Sequence, residues 1–232
     1  MRLHPNWRLL AVILAVVVGP PVAAVALMAK VPPVVTPLMI LRTLGYQATS
    51  KLPAPHGWAY QWVPLTRIAP SLARAVIAAE DTTFCSHNGF DPEAYNRAWE
   101  NYSEGIVARG GSTITQQTAK NVFLWPGRSV LRKGVETLLT PLLEAIWGKR
   151  RIMEVYLNVV EWAPGIYGAE AAARFHFHHG ANELSPREAA LLAAVLPSPR
   201  HWSASAPGPY VESRVGTIMA RESEVTTGCV GR

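Results

Sequence analysis

Residues 109–121 read RGGSTITQQTAKN. Two consecutive glycines make a turn, and the hydroxyls and amides that follow open a helix expected over Ser112–Leu124. The first N–H groups of a helix have no intrahelical acceptor, and the peptide dipoles leave that end positive. With Lys120 and Arg128 nearby, such a segment can hold a phosphate or pyrophosphate. A solvated polar face is the plain alternative. Neither the GxxxxGKS/T phosphate loop nor the GxGxxG dinucleotide fingerprint occurs here.

The charge around this segment is one-sided. Residues 109–151 hold Arg109, Lys120, Arg128, Arg132, Lys133, Lys149, Arg150 and Arg151 against Glu136 and Glu144, a local excess equal to the chain's whole net charge of +6. A basic excess points to an anionic partner: nucleic acid, phospholipid or a phosphorylated substrate.

Two acids stand out. Glu80-Asp81 ends an apolar, alanine-rich helix expected after Ser71, and Phe84, His87, Gly89 and Asp91 follow. A carboxylate at the end of an apolar helix, facing a cleft, has a raised pKa and serves as a base near neutral pH. A surface Glu is the bland alternative. Glu136 follows Arg132 by four residues and Lys133 by three, on one helix face. That spacing fits a site residue or a simple ion pair.

The remaining punctuation is helical. Helices are expected over Pro92–Tyr102, Ser129–Trp147 with an interruption at Pro141, Lys149–Val159, and Tyr210–Val225, and a capping box at Ser185–Glu188 precedes AALLAAVL. Strand alternation is almost absent. The organisation expected is 1–30 as cytoplasmic N-terminus and anchor, 31–64 as a membrane-proximal segment and 65–232 as the main domain.

Leu9–Ala29 is 21 residues without a charge. As a helix it spans roughly 31 Å, about one hydrocarbon thickness. Arg2 and Arg8 precede it, which favours a cytoplasmic N-terminus, and Pro20-Pro21 kink it. A cleaved signal peptide with Ala24-Val25-Ala26 as its site is the alternative. Both readings export the remainder. Trp58 and Trp62 fit a membrane interface or an ordinary core. A nucleic-acid partner, suggested by charge alone, does not fit an exported chain.

With 49% hydrophobic and 16% charged residues, the chain is not disordered. Two cysteines, Cys85 and Cys229, make no disulfide framework and no zinc-ligand spacing. Cys85 is expected as a free, partly buried thiol, with pairing to Cys229 the alternative. His176, His178 and His179 do not share one helical face and are expected as a surface cluster at a helix end rather than a metal site.

AEDTTFCSHNGFD, RGGSTITQQTAKN, RKGVE, KRRIMEVYLN and the tract from Gly165 to Phe177 occur in that order. Together they resemble the successive motifs of the glycosyltransferase family 51 peptidoglycan glycosyltransferases, over roughly residues 65–205. NVVEWAPGIYGAEAAARFHF and LLAAVLPSPRHW look like the monofunctional biosynthetic members, and no SxxK nucleophile motif of the penicillin-binding transpeptidases is present.

The resemblance implies a mainly α, lysozyme-like fold with a membrane-proximal jaw and an N-terminal transmembrane helix. It implies an inverting hexosyl transfer that polymerises lipid II into β-1,4 glycan and releases polyprenyl diphosphate. Glu80 matches the catalytic base and Glu136 the second glutamate. Substrate-binding matches are Asp81, Phe84, His87, Gly89, Gly111, Ser112, Thr113, Gln116, Gln117, Lys120, Asn121, Arg128, Arg132 and Lys133. Lys120, Arg128, Arg132 and Lys133 fall near the diphosphate. Mg2+ or Mn2+ there is the one cofactor admitted, with no organic cofactor. Partners implied are lipid II, the growing glycan strand, the inner membrane, penicillin-binding transpeptidases and divisome or elongation proteins. The catalytic domain would face the periplasm. His176-Phe177 stands where the family commonly has Tyr-Phe. Outside this reading, a lytic enzyme suits a lone Glu on a lysozyme-like fold, and a non-catalytic membrane scaffold is the rival of another class.

Overall fold

A computed structural model describes residues 7–45, 57–103, 111–127 and 129–231. The chain is mainly helical: α1 Trp7–Met28, α2 Pro37–Thr43, α3 Pro70–Glu80, α4 Pro92–Ser103, α5 Ile114–Phe123, α6 Val130–Val159, α7 Ala169–Phe177, α8 Pro186–Val195 and α9 Pro209–Arg221. Short 3-10 turns lie at Leu65–Arg67 and Ala181–Glu183.

Helix α3 runs through the middle. Leu72, Ala73, Ala75, Val76, Ile77 and Ala78 are buried, because small alanines let α8 and α9 approach its apolar faces. The expected start after Ser71 is corrected. The helix begins at Pro70, whose fixed φ suits the first turn, behind Ala69, which makes no side-chain cap. The Ser71 hydroxyl donates instead to the Leu184 carbonyl at 3.3 Å.

Helix α6 corrects the expected interruption. The chain passes through Pro141 within the helix and breaks at Gly148, with φ 67° and ψ 167°. Positive φ costs glycine little, so the turn settles there rather than at the proline. On either side of the break, Trp147 Nε1 donates to Val25 O at 2.7 Å, and Arg151 Nη2 donates to the carbonyls of Met28 and Val31 at 2.8 and 3.0 Å. These bonds tie the end of α1 to α6 by satisfying its last carbonyls. Trp62 packs under the Arg151 guanidinium, 5.0 Å from its ring centre, while Trp58 is 40% exposed.

The near absence of strand pattern hid a small sheet. Strands β1 (Ala59–Tyr60), β2 (Glu161–Ala163) and β3 (Ile166–Tyr167) lie in the order β1-β3-β2, β3 parallel to β1 and antiparallel to β2. Two- and three-residue strands carry too few positions for alternation. Gly168 closes the turn into α7; a Cβ there would lie 2.5 Å from the Asn158 carbonyl oxygen.

Three further expectations are corrected. Cys85 is not a free thiol but forms a disulfide with Cys229. His176 is buried, not part of a surface cluster, and burial pushes its pKa down to about 4. His178 ends α7 in the left-handed conformation, and His179 Nε2 pairs with Glu188 at 3.0 Å. The last helix stops at Arg221 rather than Val225.

Among the residues whose side chains are described, no helix is long and apolar enough to cross a membrane; the first half of α1 lies outside that set.

Candidate active site

The site is built where α3 ends, α5 begins and the first half of α6 passes. Asp81 terminates α3 and turns back onto the start of α5. Its Oδ2 accepts from the Ile114 backbone N–H at 2.9 Å, and both its oxygens lie within 3.1 Å of His87 Nε2. Gly89 N–H donates to His87 Nδ1 at 3.1 Å, so Nε2 carries the proton given to Asp81. Asp81 is buried and satisfied by three contacts; it holds the loop 81–91 against α5. Phe84 is fully buried, edge-on to His87 and 4.5 Å below the Lys149 ammonium.

Gly89 has φ +92°, and a Cβ there would fall 2.7 Å from Thr140 Cγ2 of α6. The absent side chain lets the loop touch α6, and the Gly89 carbonyl accepts from Thr113 Oγ1 at 2.6 Å. Thr113 caps α5. Its hydroxyl accepts from Gln116 N–H at 3.2 Å, and its own N–H donates to Gln116 Oε1 at 3.0 Å. This is a reciprocal capping box. The helix therefore starts at Ile114, two residues later than expected, and Thr113 and Gln116 form its N-terminal cap. Asn121 is buried on the same helix.

Glu80 stands apart from these structural groups. Its side chain is 15% exposed. It lines a cleft of about 520 Å³, counting the space open to solvent, with Asp81, Asp91, Gly111, Ser112, Thr113 and Arg221. Gln117 Nε2 donates to Glu80 Oε2 at 2.9 Å, and Arg214 of α9 comes to 4.0 Å. Burial raises the Glu80 pKa, only partly offset by the Gln117 hydrogen bond and by Arg214 and Lys120.

Glu136 is buried and clamped. Arg132 Nη1 donates to it at 2.9 Å, and Lys133 Nζ meets its other oxygen. Lys133 also reaches Ser112 Oγ at 3.5 Å, at the rim of the Glu80 cleft. Lys120 connects the two acids. Burial lowers its pKa, Glu136 and Glu80 both draw it back up, and Arg132 and Lys133 push it down. Glu80, Lys120, Glu136, Arg132 and Lys133 thus form one electrostatic unit. Arg128 and Arg109 lie outside the described residues.

The acids offer no ready cage for a divalent cation. Asp81 is spent on His87 and a backbone N–H, and Glu136 on two cations. Among the described residues no cluster of three possible metal ligands occurs. Among the described residues, the acids near Glu80 and Glu136 do not form a cage for a resident Mg2+ or Mn2+.

Four neighbours escaped the sequence reading as site residues. Tyr156 lies in the KRRIMEVYLN motif without being singled out there, yet its hydroxyl donates to Gln117 Oε1 at 3.2 Å. Arg214 and Arg221 lie outside every quoted motif. Their spacing of seven residues puts them on one face of α9, a signal the sequence does carry. Glu144, counted only as a charge, accepts from Thr115 Oγ1 and Lys149 Nζ, each at 2.6 Å.

Residues 49–222 match the family model described as Transglycosylase. A biosynthetic peptidoglycan transglycosylase of Caulobacter vibrioides is 51% identical over 210 residues, covering 90% of this chain and 87% of that protein. One of Rhodospirillum centenum is 50% identical over 217 residues, covering 92% and 90%. One of Pseudomonas aeruginosa is 48% identical over 197 residues, covering 85% and 84%. A cleft acid that shares its electrostatics with buried cations, on a matching sequence of this extent, has one reading: the chain belongs to the transglycosylase family and is an enzyme of the peptidoglycan glycosyltransferase class.

Proposed function

We propose that the chain polymerises lipid II into β-1,4 glycan strands on a lysozyme-like framework, with Glu80 as general base. The observation that carries this is the contrast at Glu80: a cleft-lining carboxylate whose burial outweighs the hydrogen bond and cations around it. A carboxylate so placed is a stronger base than one in water, and proton abstraction of this kind is worth on the order of 10²–10⁴-fold.

Glu80 takes the proton from the acceptor's sugar 4-hydroxyl as that oxygen attacks the anomeric carbon of the donor. The bond to the diphosphate breaks as the glycosidic bond forms, and attack opposite an α-linked leaving group gives a β linkage. The departing charge is met by the chain's own cations, Lys120, Lys133 and Arg132, with Arg128 added by the motif it belongs to. Glu136 orders Arg132 and Lys133 for that task. Ser112 and Gln117, beside Glu80, line the donor side.

The apolar stretch Leu9–Ala29 supports a single-pass anchor in the inner membrane, with the catalytic domain in the periplasm. The Cys85–Cys229 disulfide agrees with an oxidising compartment. A tethered enzyme meets a membrane-held donor at raised effective concentration. Its strands would then pass to penicillin-binding transpeptidases and the division or elongation machinery, since this chain has no SxxK nucleophile motif.

The test is gel analysis of labelled lipid II incubated with the detergent-solubilised full chain. A ladder of glycan is expected. Unconsumed monomer, or shortening of finished wall glycan instead, overturns the reading.

A further inference from the structure

The Gln117 amide has two ends, and Glu80 takes only one of them. Nε2 donates to Glu80 Oε2 at 2.9 Å, and Oε1 faces the Tyr156 hydroxyl at 3.2 Å. An ionised carboxylate accepts only, so the amide must present its NH2 to Glu80 and its oxygen to Tyr156. The phenol then must donate. Tyr156 is fully buried in the second half of α6, and burial, with Glu80 and Asp81 adding, pushes its pKa well up. It therefore keeps its proton throughout the working range.

We propose that Tyr156 is a positioning residue of the reaction, fixing through Gln117 the hydrogen bond that Glu80 receives. This deepens the assignment of Glu80 as base and rests on it. Without the phenol hydroxyl the Gln117 amide loses the one contact that fixes its oxygen end, and its orientation rests on the Nε2 contacts with Glu80 and, at 3.4 Å, with the Ser112 carbonyl. In the turned orientation it would set an oxygen against a carboxylate, which favours the protonated acid. The Tyr156 hydroxyl thus holds Glu80 in its proton-accepting form from behind, out of the substrate's reach. The other charged groups facing Glu80 are Asp81 at the end of α3, Lys120 on α5 and Arg214 on α9, and Arg221 shares its cleft. Tyr156→Phe leaves all of these in place.

The experiment compares wild type, Tyr156→Phe, Gln117→Leu and the double variant, each as the full chain in detergent, by kcat/KM for lipid II against pH. In Tyr156→Phe the acid limb is expected to move up by about one pH unit, a roughly tenfold loss on the acid side that shrinks as pH rises. In the Gln117→Leu background Tyr156→Phe is expected to add nothing, because it acts through that amide. Superimposed profiles, or a loss uniform in pH that adds to that of Gln117→Leu, would overturn the proposal. A second readout needs no turnover: the titration midpoint of the Glu80 carboxyl by 13C NMR, with Glu80→Gln assigning the resonance. It should rise in Tyr156→Phe, and an unmoved midpoint overturns the relay. If the wild type fails to consume lipid II, the polymerase reading falls, while the midpoint still decides the role of Tyr156.

Discussion

The two glutamates of the site, Glu136 buried and Glu80 lining an open cleft, are treated in opposite ways. Glu136 is matched at each oxygen by a cation, Arg132 on one side and Lys133 on the other. Glu80 receives one neutral amide at hydrogen-bond distance, with the Arg214 guanidinium standing off at 4.0 Å. A fully paired carboxylate is spent on order. An under-paired one retains the drive to bind a proton. The wall carrying Glu136 is a single helix, α6, whose turns dictate the pairing at i, i+3 and i, i+4. The wall carrying Glu80 is assembled from a helix end, a glycine-hinged loop, the start of α5 and the distant helix α9. The difference teaches that the under-paired acid, the one proposed as base, is the one supported by long-range contacts.

The sharpest way to break this contrast is Glu80→Gln. Polymerisation is expected to fall by on the order of 10²–10⁴-fold with lipid II binding retained. Near-wild-type ladders from the purified variant would remove the base assignment. Glu136→Gln should act on the fold as well. It leaves the buried Arg132 without its countercharge. The loss expected is roughly 3–5 kcal/mol, which a thermal melt in detergent reads directly. An unchanged melt would mean that the clamp is not what orders α6.

Opening the Cys85–Cys229 bond with Cys229→Ser should cost about 2–4 kcal/mol, since the bridge spans a sequence separation of 144. The same loss should appear in wild type under reductant and vanish in the variant. Gly89→Ala probes the meeting of the two walls. It combines a strained φ with a Cβ 2.7 Å from Thr140 Cγ2. Stability should fall by roughly 1–3 kcal/mol, and activity with it.

The smallest effect has the opposite sign. Folding raises the Glu80 pKa above its ordinary value of 4.5. Between that value and the raised one the folded chain binds more protons than the unfolded chain. Stability from this group therefore falls as pH rises through that window, and the penalty is complete above it. Glu80→Gln removes it, so at neutral pH the inactive variant should melt higher than wild type, by on the order of 1 kcal/mol. The two melts should converge as the pH is lowered to the ordinary carboxylate range.

Much of the Glu136 wall was legible in the sequence, because a helix converts spacing into geometry. Arg132, Lys133 and Glu136 had to share a face once the segment was helical. The position of Glu80 at a helix end and the Ser185 capping box were legible for the same local reason. What escaped was decided over distance. Whether Cys85 pairs depends on where residue 229 lands, and periodicity carries nothing about that. Arg214 meets Glu80 only because α9 packs on α3. The three short strands pair across residues 59–167, too briefly to leave a pattern. Pro141 reads as a break, yet the helix passes through it, and the chain breaks at Gly148, where the expected helices Ser129–Trp147 and Lys149–Val159 also part. Proline in a helix still keeps a helical φ, whereas a glycine at φ 67° does not.

The covalent bond between positions 85 and 229 has a bearing on when the enzyme can start work. Synthesis proceeds from the N-terminus, so the reactive loop is made long before its sulfur partner. Until that partner arrives and is oxidised, the segment following Glu80 is held by its non-covalent contacts alone: the buried Phe84, the Asp81–His87 pair and the Thr113–Gly89 hydrogen bond. The last stitch comes late, and an unfinished chain lacks a complete reaction centre.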